Sequence, residues 1–165
     1  MLIETAIVDY HDHQQAQDLI TLLDEYARDP MGGGQPLPDN TKATLVTELA
    51  KRPHAFSLLC YVDGEAAGLA NCLEGFSTFA AKPLLNIHDI MVRNTYRGQG
   101  LSQIMLHKIE DIARQRGCCK ITLEVLSGNT PAQSAYEKFG FQHYQLDPAT
   151  GQALFWQKNL NPPMS

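Results

Sequence analysis

The chain has 165 residues, of which 44% are hydrophobic and 19% charged, and its formal net charge is -5. This length fits one globular domain, and we predict a single domain over residues 1–160 with a frayed tail at 161–165. No apolar run reaches the roughly 20 residues that a membrane-spanning helix needs, and the N-terminus lacks a basic region before a hydrophobic one. We therefore expect a cytoplasmic protein without a membrane partner.

Charge and cysteine content argue against nucleic-acid and metal binding. No cluster of lysine and arginine interrupts the net negative charge, so nucleic acid is not an expected partner. Of the four cysteines, Cys118 and Cys119 are adjacent, which is a poor geometry for two ligands of one metal ion, and there is no Cys-x-x-Cys pair. We predict reduced thiols and no metal site.

The first half of the chain predicts one strand, two helices and a β-hairpin. Three prolines and three glycines in the segment 29–38 must interrupt the first helix. Asp63-Gly64 is a strong signal for a two-residue hairpin turn. In chain order, the predicted elements span residues 2–8, 12–28, 41–51, 56–62 and 65–76.

The second half predicts a central strand and helix, a further strand and helix, and a closing hairpin. These elements span residues 84–92, 101–116, 120–125, 132–139, 141–146 and 153–158. Antiparallel hairpins thus precede a βαβ crossover. The fold class that follows is α/β (α+β), with a mixed, mostly antiparallel sheet of about seven strands flanked by helices.

The turn between the central strand and its helix is the most informative stretch. It reads Arg97-Gly98-Gln99-Gly100-Leu101-Ser102. A strand that leads through a glycine-containing turn into a helix is typical of an anion site, because unpaired N–H groups and the positive end of the helix dipole converge there. Glycine lets a phosphate approach the backbone. We therefore predict a phosphate-containing cofactor.

Two common phosphate-binding motifs do not fit. A P-loop requires Gly-Lys-Ser/Thr after four spacers, and the chain has no such run. A dinucleotide-binding fold would want a third glycine at position 103, where Gln103 stands, and a hairpin-rich first half leaves no room for its second βαβαβ unit.

A third motif resembles that of the GNAT superfamily, the acetyl-CoA-dependent N-acyltransferases, whose signature is Gln/Arg-x-x-Gly-x-Gly/Ala. Arg97 and Gly100 match its first two fixed positions, and Ser102 replaces the final small residue. The segment from Asn129 to Phe141 is similar to the family's Asn-x-x-Ala-x-x-x-Tyr-x-x-x-Gly-Phe in order and spacing. Two motifs on the expected elements make a strong joint signal.

The resemblance implies a GNAT-like fold with a splayed central βαβ cleft, and acetyl-CoA as the acyl donor. It implies that the pyrophosphate rests on N–H groups of Arg97, Gly98, Gln99, Gly100, Leu101 and Ser102. The pantetheine arm would pair with Ile90, Met91 and Val92. Asn129 would hold this arm through its amide, and Tyr136 would protonate the departing thiolate.

The general base is open at this stage. His88 and Asp89 stand on the central strand where many relatives carry an acidic pair, and histidine suits proton removal near neutrality. Strand alternation sends these two side chains to opposite faces. Glu74 and Glu124 are more remote alternatives, and a chain of ordered water is another.

The acceptor site is predicted at the first helices and the loop with Gly32, Gly33 and Gly34, together with His88. This loop is either a mobile flap or a plain connector. The predicted function is direct transfer of an acetyl group to a primary amine of a small molecule, polyamine-like or amino-acid-like, in a ternary complex. The alternatives are a non-catalytic acyl-CoA-binding module and an enzyme for a protein lysine or N-terminal amine. The resemblance also allows a homodimer paired through the last strands.

Overall fold

The computed structural model describes residues 1–144 and 146–161. Its helices and strands are β1 (Ile3–Ile7), α1 (His13–Arg28), α2 (Asp39–Ala50), β2 (Ala55–Val62), β3 (Glu65–Ser77), β4 (Lys82–Val92), α3 (Leu101–Gln115), β5 (Ile121–Leu123) and α4 (Thr130–Phe139). Short 3₁₀ turns lie at Pro30–Gly32, Asn94–Tyr96 and Pro148–Thr150. None of the helices in these two ranges is long and apolar enough to span a bilayer. Apart from Asn161, the predicted frayed tail lies outside the described residues.

One five-stranded sheet runs in the order β1-β2-β3-β4-β5. Its first four strands pair antiparallel, and β4 pairs with β5 in parallel. The Asp63-Gly64 turn between β2 and β3 has positive φ at both residues, 49° and 84°, as a tight hairpin requires. The mixed, mostly antiparallel α/β (α+β) architecture is therefore confirmed.

The predicted count of about seven strands is wrong for the part of the chain that the structure describes. The closing hairpin at 141–146 and 153–158 is not formed by the described residues of those segments, and Gln145 lies outside them. β5 is also shorter than the predicted 120–125. A three-residue strand offers too short an edge to template two further strands, so apolar side chains of both segments stay exposed. They include Tyr144, Leu154, Phe155 and Trp156.

Two apolar layers cover the two faces of the sheet. On one face, α3 buries Leu101, Met105 and Ile109 against residues such as Leu58 and Leu85. On the other face, α1 buries a second group that includes Leu19, Leu22 and Leu23 together with Leu69 and Met91. The buried positions of α1 and α3 recur at helical spacing, so each helix packs one stripe on the sheet. β4 lies between both layers and carries side chains to each.

Candidate active site

β4 and β5 separate halfway along β4, and a cleft opens between them. β5 pairs only with Leu85, Asn86 and Ile87, so the segment 88–92 has no strand partner on that side within the described residues. The cleft has a volume of about 910 Å³ and lies between residues 90–92 on one side and 123–126 on the other. This is the predicted splayed βαβ arrangement.

Backbone groups of β4 face this cleft. The N–H of Arg93 donates to the carbonyl of Ala67 at 2.9 Å, and hydrogen-bonded pairs alternate along an antiparallel ladder. Leu69 and Met91 are therefore the next hydrogen-bonded pair. The N–H and C=O groups of Ile90 and Val92 consequently point away from β3 and into the cleft. An extended ligand can pair with them as a further strand would.

The turn into α3 lies at one end of the cleft. Gly98 and Gly100 both have φ of 79°, and a Cβ added at either would meet nothing within 4 Å, so open space lies in front of the turn. The N–H of Ile104 donates to the carbonyl of Gly100 at 3.2 Å. The N–H groups that precede it in the first turn of α3 therefore have no intrahelical partner. No acidic side chain occupies that turn. The turn therefore suits an anionic diphosphate.

The guanidinium of Arg97 bridges the turn and the walls of the cleft. Its Nε donates to the carbonyl of Val92 at 3.4 Å, and Nη2 lies 3.9 Å from Oδ2 of Asp29. The side chain is 62% exposed, so it can change partner when an anion binds nearby.

Two polar residues of the second motif line the cleft, one at the N-cap of α4 and one within it. Asn129 caps this helix, because its Oδ1 accepts a hydrogen bond from Ala132 N–H at 3.3 Å, and this leaves its amide nitrogen as the donor toward a ligand. Tyr136 packs edge-on against Phe141 with ring centroids 5.9 Å apart. Burial, and then the neighbouring phenol of Tyr26, raise the pKa of Tyr136 to about 12. Tyr136 is therefore a protonated hydroxyl at neutral pH.

The wall opposite α4 is acidic and comes from α1 and the turn after it. Glu25, Tyr26, Asp29 and Met31 line the cleft there. Asp29 caps the 3₁₀ turn by accepting from Met31 N–H at 2.9 Å. The structure thus brings the start of the predicted acceptor loop to the cleft.

The three glycines of that loop are placed next to the lining rather than in it. Gly32 packs so closely on α1 that an added Cβ would lie 1.9 Å from the carbonyl oxygen of Tyr26. Gly33 and Gly34 have positive φ and open space around them. Their role as an acceptor loop stays a prediction.

A β-bulge separates the two predicted base residues. Asn71 pairs with Asp89 across β3 and β4, but Cys72 pairs with Ile87, so His88 is an extra residue in β4. His88 is exposed, its Nδ1 lies 2.7 Å from Oδ1 of Asn86, and its side chain does not line the cleft.

The bulge turns Asp89 toward α1. Strict alternation from Ile87, which packs on the α3 face, would have put Asp89 on that face as well. Instead Asp89 shares the α1 face with Met91. Burial, and then the charges of the Asp89 and Asp29 carboxylates, raise the pKa of Tyr26, which is a residue of the cleft. Asp89 itself, like His88, is not among the residues that line the cleft.

Sequence reasoning missed several residues around the site. Tyr26 and Arg93 line the cleft but are not among the predicted site residues. Ser57 and Asn71, which lie inside apolar strands, were also overlooked, although both are buried. A polar residue in the middle of an apolar strand is a usable signal, because such a group needs a specific hydrogen-bond partner.

Comparison with known proteins identifies relatives of this chain. Residues 10–141 match the model of the Acetyltransferase (GNAT) family. Streptothricin acetyltransferase of Streptomyces lavendulae is 38% identical over 87 residues, which cover 53% of this chain and 44% of that protein. The putative [ribosomal protein bS18]-alanine N-acetyltransferase of Bacillus subtilis is 27% identical over 122 residues, covering 70% of this chain and 77% of that protein. The chain thus spans less than half of the streptothricin enzyme.

Solved structures share the fold at low sequence identity. AAC(6')-Iy in complex with the bisubstrate analogue CoA-S-monomethyl-acetylneamine superposes with a TM-score of 0.77 at 16% identity, over 96% of this chain and 99% of that one. The aminoglycoside acetyltransferase meta-AAC0020, from an uncultured soil metagenomic sample and in complex with sisomicin, gives a TM-score of 0.78 at 13% identity, over 96% and 97%.

Proposed function

Since this chain belongs to the GNAT acetyltransferase family, we propose that it transfers an acetyl group from acetyl-CoA directly to a primary amine of a small molecule in a ternary complex. One observation carries the proposal. A single cleft joins an anion-suited turn, two cleft-facing backbone N–H groups and a partly buried tyrosine to an acidic wall.

The residues along the cleft fit acetyl-CoA. The N–H groups around Gly100 would hold the diphosphate, because the turn is open and the helix dipole favours negative charge there. The cleft-facing groups of Ile90 and Val92 would pair with the pantetheine arm, and the amide nitrogen of Asn129 would donate to it. When bound, acetyl-CoA supplies an activated acyl carbon and a thiolate leaving group.

The acceptor amine must lose a proton before it can attack. An alkyl ammonium has a pKa of about 10.4, so only about one molecule in 10³ is neutral at pH 7, which costs about 4.6 kcal/mol. We assign proton removal to Asp89, directly or through one water, in preference to His88. Asp89 is partly buried and its charge acts on the phenol of the cleft residue Tyr26, whereas His88 is exposed and bonded to Asn86.

Two further groups of the chain would stabilise the charges that develop. A cleft-facing N–H of Ile90 or Val92 would donate to the thioester oxygen as it gains negative charge, a contact often worth about 3 kcal/mol. The hydroxyl of Tyr136 would donate its proton to the departing sulfur as the carbon–sulfur bond breaks and the carbon–nitrogen bond forms. The second proton of the attacking nitrogen, which leaves as the amide forms, would restore the phenol of Tyr136. Its raised pKa keeps this proton available across the neutral range.

The acceptor is proposed to be a small cationic amine of polyamine or amino-acid type. Glu25, Asp29 and Glu124 line the cleft and favour a positively charged ligand, and Arg93 and Arg97 offset this charge only in part. Relatives and structural neighbours named for streptothricin and aminoglycosides support a small, amine-bearing acceptor.

Turnover across a panel of acceptors tests the proposal. Polyamines, amino acids, aminoglycosides and a peptide with an N-terminal alanine would each be mixed with acetyl-CoA, and loss of the thioester absorbance followed. A thiol reagent is less suitable, since Cys119 is exposed. We expect turnover with at least one small amine, a large fall in kcat for Asp89→Asn and little change for His88→Gln. Acetyl-CoA binding without turnover on any acceptor would favour a non-catalytic acyl-CoA-binding module.

A second acceptor class is an N-terminal protein amine. The relative that the chain matches over the longer stretch is named for the alanine of a ribosomal protein, which favours this class. The peptide arm of the panel separates the two. Turnover with the alanine peptide, together with none on free amines, would replace the small-molecule proposal.

A further inference from the structure

Four polar side chains from different parts of the chain form one continuous row of hydrogen bonds that ends on Asp89. Tyr10 follows β1, and Ser57, Asn71 and Asp89 stand on β2, β3 and β4. Asn71 Nδ2 donates to Asp89 Oδ2 at 3.1 Å, Ser57 Oγ donates to Asn71 Oδ1 at 2.5 Å, and the oxygens of Tyr10 and Ser57 lie 2.8 Å apart. The row therefore crosses the sheet from its second strand to the proposed base.

The chemistry of the groups sets the direction of every bond in this row. An ionised Asp89 can only accept, so the amide nitrogen of Asn71 must face it and the amide oxygen must face Ser57. The single hydroxyl proton of Ser57 is then committed to Asn71. Tyr10 must consequently donate to Ser57. Each member is held in one orientation by the member before it.

The burial of the row is hard to explain by stability alone. Ser57 is fully buried and Asn71 is 6% exposed. A buried hydrogen-bonded pair adds little net stability, and apolar residues of the same shape would serve about as well there. The neighbours Leu58 and Leu69 show that these strands otherwise carry apolar side chains into the core. The polar row has a specific consequence only at Asp89, where the amide of Asn71 holds one carboxylate oxygen.

The bulge at His88 places this carboxylate where the row can reach it. Because Asn71 lies directly opposite Asp89 in the register, the two side chains share one face and meet. Among the described residues, Asn71 is the hydrogen-bond donor to Asp89, and it occupies Oδ2. Oδ1 is then the oxygen that remains for an incoming proton.

From this geometry we infer that Asn71 is a positioning residue for Asp89, and that Ser57 and Tyr10 lock Asn71 in the orientation in which it donates. The inference rests on the proposed function, in which Asp89 accepts the proton of the amine. Because Asn71 holds Oδ2, the carboxylate is restrained from rotating, and Oδ1 is kept in one position for the proposed proton transfer.

Kinetics of Asn71→Leu in two backgrounds test the inference. In the otherwise native protein, we expect kcat to fall about 10-fold or more while the KM for acetyl-CoA stays within about twofold, since the donor site is untouched. In the Asp89→Asn background, the same substitution should have no further effect on kcat. The matched control is Asn86→Leu, which removes an amide from the same sheet, together with its bonds to Thr122 and to His88, without touching Asp89.

Each outcome has one reading. An unchanged kcat for Asn71→Leu, or an equal loss in both backgrounds, would overturn the positioning role while leaving the base in place. An unchanged kcat for Asp89→Asn would instead remove the proposed base. If Asn71→Leu does not fold, Ser57→Ala combined with Asn71→Leu also removes the fully buried Ser57 hydroxyl that the single variant would leave without its acceptor, which lessens the loss of stability. The same fall in kcat is expected of that variant, and native turnover in it would contradict the inference.

Discussion

The guanidinium of Arg93 forms a two-point ion pair with the carboxylate of Glu25, with Nη2 2.7 Å from Oε1 and Nε 3.1 Å from Oε2. Arg93 directly follows β4, and Glu25 lies near the end of α1. Nη1 of Arg93 also donates to the carbonyl of Ala66 at 3.2 Å. The pair therefore links the acidic wall of the cleft to the strand whose N–H groups at Ile90 and Val92 face the cleft.

A double-mutant cycle measures the interaction free energy of this ion pair. Glu25→Gln and Arg93→Gln, alone and together, should give a coupling free energy of about 0.5–1 kcal/mol from urea unfolding, because the side chains are 40% and 35% exposed. The matched control is the more exposed pair of Glu110 and Arg114 on α3, for which a smaller value is expected. Equal coupling in the two cycles would show that the two-point geometry contributes nothing extra.

Replacing Tyr136 by Phe removes the proposed acid and keeps the ring packing on Phe141. We expect kcat to fall by about 100-fold, with acetyl-CoA affinity unchanged in a calorimetric titration. Tyr96→Phe is the control, because the Tyr96 hydroxyl bonds to Glu65 and the residue does not line the cleft. Native turnover in Tyr136→Phe would remove Tyr136 from the mechanism.

Local patterns account for the parts of the site that could be predicted. The turn with Gly98 and Gly100, the helix that follows it and the cap at Asn129 depend on neighbouring residues, so their chemistry is readable along the chain. The side that Asp89 faces depends instead on the register of β4 against β3. A one-residue bulge reverses which side chains face each side of the sheet, and no residue pattern around His88 predicts the bulge.

Long-range contacts explain most of what the sequence did not reveal. Glu25 and Arg93 are 68 positions apart, and Ser57 and Asn71 meet only once β2 and β3 are paired. The predicted closing hairpin is built around the turn residues at 147–151 alone. Its formation also depends on the length of the edge that β5 provides, which is a property of the folded sheet.

Alkaline pH should destabilise the fold through its buried thiols and phenols. Burial, and then the charge of Asp89, raise the pKa of Cys72 from 9.0 to about 12. Below pH 9 the Cys72 thiol is protonated in both the folded and the unfolded state, so its contribution to the free energy of unfolding is fully present. As the pH rises through this window the unfolded chain loses the proton first, and the free energy of unfolding falls by up to about 1.4 kcal/mol per pH unit for such a group.

Urea unfolding of the native protein and of Cys72→Ala between pH 8 and pH 11 checks this dependence. The variant is expected to be less stable throughout, because it leaves a small cavity, but to lose stability less steeply with rising pH. Parallel slopes for the two proteins would mean that the Cys72 thiol ionises in the fold as it does in the unfolded chain.

The most direct test of the whole account is calorimetric titration of acetyl-CoA into the native protein, Gly100→Ala and Gly117→Ala. Both glycines have positive φ, 79° and 73°, with open space around them, so each substitution costs about 1 kcal/mol of stability. They lie at opposite ends of α3, and only Gly100 lines the cleft. We predict one acetyl-CoA per chain, with Kd raised about 10-fold in Gly100→Ala and unchanged in Gly117→Ala. No heat of binding to the native protein, or equal affinity in all three, would contradict the claim that this turn holds the diphosphate.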